Sequence, residues 1–248
     1  MDDEVYSAAI WLAVGMTCSD SAASTQSAED LVDMITSVVP TEARSIRQDA
    51  LGAVPELRAA LVHILVNGSD YGRYWGCIAL SYLLHCNPSN IRLFGMETEG
   101  LFEAIAECLT IHMARGVACG VLSQLAFACV ENSTRICDTS NILDLVARTM
   151  RHGRPMDQHA ASCALSNIAA NGSTLALKIA DFPDLLEALA DLCVEYRSVE
   201  GDGTTSRTGM SAIGCIDNLS FHEEVRPLLL QLGIPMMLKP LMEGEDFG

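Results

Sequence analysis

One short pattern recurs along this chain, and its spacing limits the folds open to it. A small or apolar residue, a large apolar residue, a polar pair and a second large apolar residue appear four times. The copies are Ile78-Ala-Leu-Ser-Tyr-Leu83, Gly120-Val-Leu-Ser-Gln-Leu125, Cys163-Ala-Leu-Ser-Asn-Ile168 and Gly214-Cys-Ile-Asp-Asn-Leu219. Anchored on Leu80, Leu122, Leu165 and Ile216, they are separated by 42, 43 and 51 residues. A period near 42 marks stacked helical units, none of which buries its apolar face alone. The pairs Leu80/Leu83, Leu122/Leu125, Leu165/Ile168 and Ile216/Leu219 share one helix face and predict a core seam. The expected fold is an all-α solenoid.

Apolar periodicity and breakers divide each unit into three helices. They are predicted at 41–52, 55–65 and 71–85, then 88–96, 101–112 and 115–129, then 132–139, 142–150 and 156–170, then 173–181, 183–196 and 208–222. Residues 1–40 stand apart as a degenerate repeat or cap, with helices at 3–16 and 28–39 joined by a polar linker at 17–27. The array then covers 41–248. The long step of 51 residues is traced to a Gly-rich polar insertion at 195–207, expected as a surface loop. The last repeat, 223–242, is incomplete. It leaves a Met-rich apolar face (Met236, Met237, Leu238, Leu241, Met242), unless the chain is a fragment of a longer array.

Composition narrows the function. The 248 residues carry a net charge of −17. That argues against nucleic acid, whose phosphates need Lys and Arg to release counterions. It argues equally against an anionic membrane surface. A basic peptide or protein face is the complementary partner, and plain solubility is the other reading of the acidity. The apolar run Ala8–Met16 follows Asp2, Asp3 and Glu4, the wrong sign for a signal peptide, and is too short to span a bilayer. No membrane insertion is expected. The ten cysteines form no C-x-x-C pair, so reduced thiols in a cytoplasmic, or else nuclear, protein are expected.

A short helix, a longer helix and a third helix reading Ala164-Leu-Ser-Asn-Ile-Ala169, with Asp217-Asn-Leu219 as the next-best match, resembles the armadillo repeat over about residues 41–242. HEAT repeats have two helices per unit, and the extra short helix speaks against them. The resemblance implies a right-handed superhelix whose third helices line a concave groove. In nuclear-import adaptors of that family the groove holds extended basic peptides. An Asn on each third helix bonds the peptide backbone, and a Trp four residues earlier walls a pocket. Here the Asn position holds Tyr82, Gln124, Asn167 and Asn218, and the Trp position holds Ile78, Gly120, Cys163 and Gly214. Half of the Asn ladder is present and none of the Trp ladder, which argues against nuclear-signal binding.

The groove face is expected to carry an apolar anchor at Trp75, Ile78 and Tyr82, and a backbone clamp at Gln124, Asn167 and Asn218. Trp75 has the alternative of lying between repeats, and the Asn residues that of capping or solvating the face. Cys163 faces the same groove, with no base evident beside it. The six histidines are spread over several units without ligand spacing, so no metal or cofactor is expected. No P-loop, dinucleotide fingerprint, H-E-x-x-H or G-x-S-x-G is present. The reading is a non-enzymatic protein- or peptide-binding module and scaffold. Two others are a regulator of a nucleotide-binding partner, of exchange-factor or chaperone-cofactor type, and a homodimer formed through the C-terminal apolar face.

Overall fold

The computed structural model describes residues 3–37, 41–198 and 203–234, and among them every regular element is a helix. The first two helices are α1 (Asp3–Met16) and α2 (Ser21–Thr36). Three-helix units follow: α3 (Thr41–Gly52), α4 (Pro55–Asn67) and α5 (Asp70–Leu84); α6 (Pro88–Glu97), α7 (Leu101–Leu109) and α8 (Arg115–Ala126). Then come α9 (Val130–Asp138), α10 (Ile142–His152) and α11 (Pro155–Ala169), and α12 (Ser173–Ala180), α13 (Pro183–Ser198) and α14 (Gly203–Ser220), before α15 (Arg226–Gln231).

These helices pack in three rows. The short helices α3, α6, α9 and α12 form the first. α1, α4, α7, α10 and α13 touch one another in sequence as the second, and α2, α5, α8, α11 and α14 as the third. The two N-terminal helices therefore supply the first rungs of the second and third rows. None of the helices is long and apolar enough to cross a membrane, among the described residues.

Local chemistry sets the helix starts and turns. Pro55, Pro88 and Pro155 each open a helix, where a missing N–H costs nothing. Ser69 accepts from the Gly72 N–H and Asn87 from the Asn90 N–H as N-caps. The turns repeat as well. Cys86 and Ala128 end their units with φ of 53° and 50°, and Gly100 and Asn141 precede the second helices with φ of 72° and 67°. Left-handed backbone at Cys86 and Ala128 costs about 1 kcal/mol or more apiece. It persists because packing on either side fixes the turn.

The predicted seam is the core. Leu80, Leu83, Leu122, Leu125, Leu165, Ile168, Ile216 and Leu219 are all buried, each contributing about 2 kcal/mol by transfer from water. Small residues lie one turn before them: Gly76, Ala118, Ala161 and Ala212 are buried too. At Gly76 the reason is direct, since a β-carbon there would sit 2.9 Å from Ile64 Cγ2.

Buried asparagines tie the rows together. Asn90 donates to Gln48 O and Leu83 O, at 2.8 and 2.9 Å. Asn132, in the same place one unit later, donates to Ile91 O and Leu125 O, both at 2.9 Å. Each staples its short helix to the previous short helix and to the end of a third-row helix. A glycine makes room in both cases: β-carbons at Gly52 and Gly95 would lie 2.1 Å from Asn90 Oδ1 and 1.8 Å from Asn132 Oδ1.

Two sequence expectations are corrected. The linker at 17–27 shrinks to a turn at 17–20, because Asp20 caps α2 by accepting from the N–H groups of Ala22 and Ala23. Ser24 and Thr25 return their hydroxyls to Ser21 O and are buried, so polar composition here hides a packed helix. The loop at 195–207 is likewise mostly helix, since α13 continues to Ser198 and α14 begins at Gly203. Several helix ends also differ, by up to seven residues: α2 starts at Ser21 where 28 is predicted, and α14 at Gly203 where 208 is predicted. The Met-rich segment 235–242 lies outside the described residues.

Candidate binding face

On α5, α8, α11 and α14 the side opposite the seam is open to water. Trp75, Ile78, Gln124, Cys163, Asn167 and Asn218 are half-buried on it, and Tyr82 is exposed. The structure does not gather them into one site. Tyr82 lies seven residues, roughly 10 Å, beyond Trp75 on the same helix.

The amide ladder has a structural task. Gln124 Nε2 donates to Ser81 Oγ at 2.8 Å. Asn167 Nδ2 donates to Ser123 O and Oγ at 2.8 and 3.0 Å, and Asn218 Nδ2 to Ser166 O and Oγ at 3.1 and 2.9 Å. The Leu-Ser-polar motif thus recurs because the polar residue of one rung bonds the serine of the rung before it. Both N–H donors of Asn167 and Asn218 are consumed, so only their carbonyl oxygens remain for a ligand. A two-way clamp on a peptide backbone is not available from them. Removing both side chains (Asn167→Ala with Asn218→Ala) should cost about 2 kcal/mol at roughly 1 kcal/mol per rung. Thermal melting should fall by about 4–8 °C in a chain of this size. An unchanged melting temperature would mean that the ladder carries no stability.

The open apolar surface lies toward the other end of the same helices. Tyr71, Tyr74 and Trp75 of α5 face Met113, Gly116 and Val117 around the start of α8, and Met156, Asp157, His159 and Ala160 of α11. Together they line a depression of about 610 Å³. The Tyr71 and Tyr74 rings are 6.3 Å apart and nearly parallel at 17°, with Trp75 edge-on to both at 6.3 and 5.8 Å. Tyr71, Met113 and Met156 are 49%, 43% and 49% exposed, so the lining is reachable from solvent. Trp75 Nε1 is buried without a partner. Asp157, almost fully buried, is held by Arg154 through its N–H at 3.2 Å and its guanidinium at 3.0 Å. The floor is therefore charge-neutral as a pair. Sequence reading found Trp75 but placed Ile78 and Tyr82 beside it. It passed over Tyr71, Met113 and Met156, because only packing across three rungs brings them together.

A larger depression of about 730 Å³ sits between α7, α9 and α10. Its lining is mostly polar and charged, with Arg148 paired to Asp144 and Asp138 to Lys178 beside it, and it carries no aromatic or Met side chain.

The expectation that Cys163 lacks a neighbouring base is corrected. His159, one helical turn earlier, places both ring nitrogens 3.9 Å from Cys163 Sγ, and Ser211 of α14 lies 3.7 Å from the sulfur. His159 stands below its usual range because burial disfavours its charged form. The deeper thiols are pushed the other way by burial, Cys119 and Cys193 up to about 12 and Cys137 to about 11. Among the described residues no three His, Cys, Asp or Glu side chains are grouped to hold a metal.

Comparison with known proteins gives a fold and no function. No family model matches, and no curated protein matches. Among solved structures, the chain is similar to an engineered protein, a Northeast Structural Genomics Consortium target, at 20% identity with a TM-score of 0.79. The match covers 99% of this chain and 91% of that one. At that identity the likeness speaks for the helical fold alone.

Proposed function

We propose that the chain is an armadillo-type right-handed solenoid acting as a non-enzymatic protein-binding module, with the partner segment lying across the third-row helices. The observation that carries this reading is the aromatic and Met-lined depression shared by α5, α8 and α11. Partly exposed Tyr, Trp and Met side chains are the residue types that anchor protein interfaces. The repeat spacing and the three rows of helices support the solenoid reading. The occupant is an extended segment with an apolar side chain for the depression. Basic flanking residues would answer the net charge of −17. A cytoplasmic or nuclear setting belongs to the same proposal, on the grounds of ten unpaired cysteines.

An array of peptides varying in charge and in one central apolar residue tests this. Retention of basic peptides with an apolar centre, and loss of the same peptides by a Tyr71→Ser, Met113→Ser, Met156→Ser variant, is the expected result. Equal retention by both proteins would remove the depression from consideration.

A further inference from the structure

Charge is spread unevenly along the third row, and the repeat register shows how. Nine residues before the anchors Leu80, Leu122, Leu165 and Ile216 stand Tyr71, Met113, Met156 and Arg207. The first three line the depression. At α14 the same row turns from apolar to cationic, and Arg207 is exposed. No carboxylate pairs with it among the described residues. The acidic residue of α14, Asp217, lies ten residues further on, roughly 15 Å along the helix.

At the other end of the row stands α2. Its buried Ala28, Val32 and Ile35 repeat the spacing of Gly76, Leu80 and Leu83 on α5, so Val32 is its anchor. Two residues before the anchor α5 carries Ile78, and α2 carries Asp30. Asp30 is exposed. It stands three residues, about 4.5 Å, along from the level of Trp75, which lines the depression. Asp33, at the serine position of the ladder, is exposed too. Asp30 accepts from Gln26 Nε2 at 2.9 Å, and nearby Arg47 is turned to Met34 O at 3.1 Å. Neither carboxylate is ion-paired among the described residues. The depression between the two ends is neutral, since Arg154 and Asp157 pair with each other. From α2 to α14 the surface therefore runs from acidic through apolar to basic.

We infer that the occupant of the depression is a dipolar protein segment, basic where it crosses α2 and acidic where it crosses α14, and that it docks in one direction only. This rests on the docking reading above and names the partner's chemistry. The net charge of −17 by itself favours basic residues at both ends of a ligand. The local pattern confines them to one end, because a basic residue over α14 would meet Arg207. Charge complementarity of this kind sets register and excludes wrong partners more than it adds affinity. The segment's lysine or arginine is held by Asp30 beside Trp75, its apolar centre fills the depression, and its acidic end meets Arg207. Four helix-to-helix steps of about 8–10 Å separate α2 from α14. An extended chain of roughly ten to twelve residues covers that distance.

The test is the affinity of the full chain for three synthetic peptides with one shared apolar centre, read by fluorescence anisotropy at low ionic strength. One peptide has lysines at one end and glutamates at the other, one has lysines at both ends, and one has serines at both ends. Asp30→Asn and Arg207→Gln should each weaken the dipolar peptide about two- to fivefold, the range of an exposed charge pair. Arg207→Gln should strengthen the all-lysine peptide by a similar factor, while Asp30→Asn weakens it. The serine-ended peptide should respond to neither. Both substituted residues are exposed, so the variants should melt with wild type. A dipolar peptide unmoved by both substitutions would overturn the inference, as would an all-lysine peptide weakened by Arg207→Gln. The docking reading would survive either result if the serine-ended peptide binds wild type and is lost by the Tyr71→Ser, Met113→Ser, Met156→Ser variant. Failure of all three peptides to bind wild type would overturn both.

Discussion

Gly95→Ala is expected to destabilise the protein by about 2–4 kcal/mol, even though alanine is the better helix former by up to about 1 kcal/mol. The new methyl would lie 1.8 Å from Asn132 Oδ1 and 2.3 Å from its Cγ. Asn132 is fully buried and its amide holds the carbonyls of Ile91 and Leu125. Moving it aside takes the side-chain donor from Leu125 O at the end of α8 and from Ile91 O within α6, at roughly 1–3 kcal/mol in all. Asn132→Ala alone should cost about 2–3 kcal/mol for the same reason. The combination separates this account from a generic packing defect. With the amide gone the methyl introduced by Gly95→Ala meets no oxygen, so the double variant should be no less stable than Asn132→Ala. A coupling energy of about 1–2 kcal/mol or more is expected from denaturant melts of the four proteins. Additive losses would show that the two positions do not meet.

Gly116→Ala should be nearly as damaging, by about 2–3 kcal/mol, and it should act at the binding face. The added carbon would sit 2.0 Å from Asp157 Oδ1 and 3.3 Å from the Asp157 backbone. Asp157 has no free direction to retreat, being 2% exposed and bonded to Arg154 through three donors. Displacing a buried carboxylate from its partner is costlier than losing a neutral hydrogen bond. Gly116 and Asp157 both line the depression, so the expected signature is a lowered melting temperature together with weaker partner binding. A variant as stable as wild type would mean that α8 and α11 are not in the close register described.

The periodic apolar seam made the helices and their rows legible from sequence, because Leu80, Leu122, Leu165 and Ile216 repeat a single burial pattern. The asparagine staples and the serine–amide ladder were not. Asn90, Asn132 and Asn167 are polar residues whose partners lie 41 to 44 positions away, and one sequence gives no sign of which carbonyl an amide will meet. Polar composition misled twice, at Ser24–Thr25 and in the stretch 195–207. At Ser24 and Thr25 the small hydroxyls return their hydrogen bonds to Ser21 O and so remain helical. Trp75 was visible as a bulky residue on the open face. Its companions Tyr71, Met113 and Met156 come from three rungs and became neighbours only through packing. His159 was set aside for want of ligand spacing, yet a spacing of four from Cys163 is one helical turn and was the available signal.

The depression across α5, α8 and α11 is the working surface in this reading of the molecule. Quantitative capture from a cell lysate by wild type and by the Tyr71→Ser, Met113→Ser, Met156→Ser variant tests it most directly. All three side chains are more than 40% exposed, so the variant should melt close to wild type. The proteins held by wild type should fall by more than about tenfold on the variant, the loss of a few anchoring side chains at about 1.4 kcal/mol per factor of ten. The same proteins retained in the same amounts by a folded variant would contradict it.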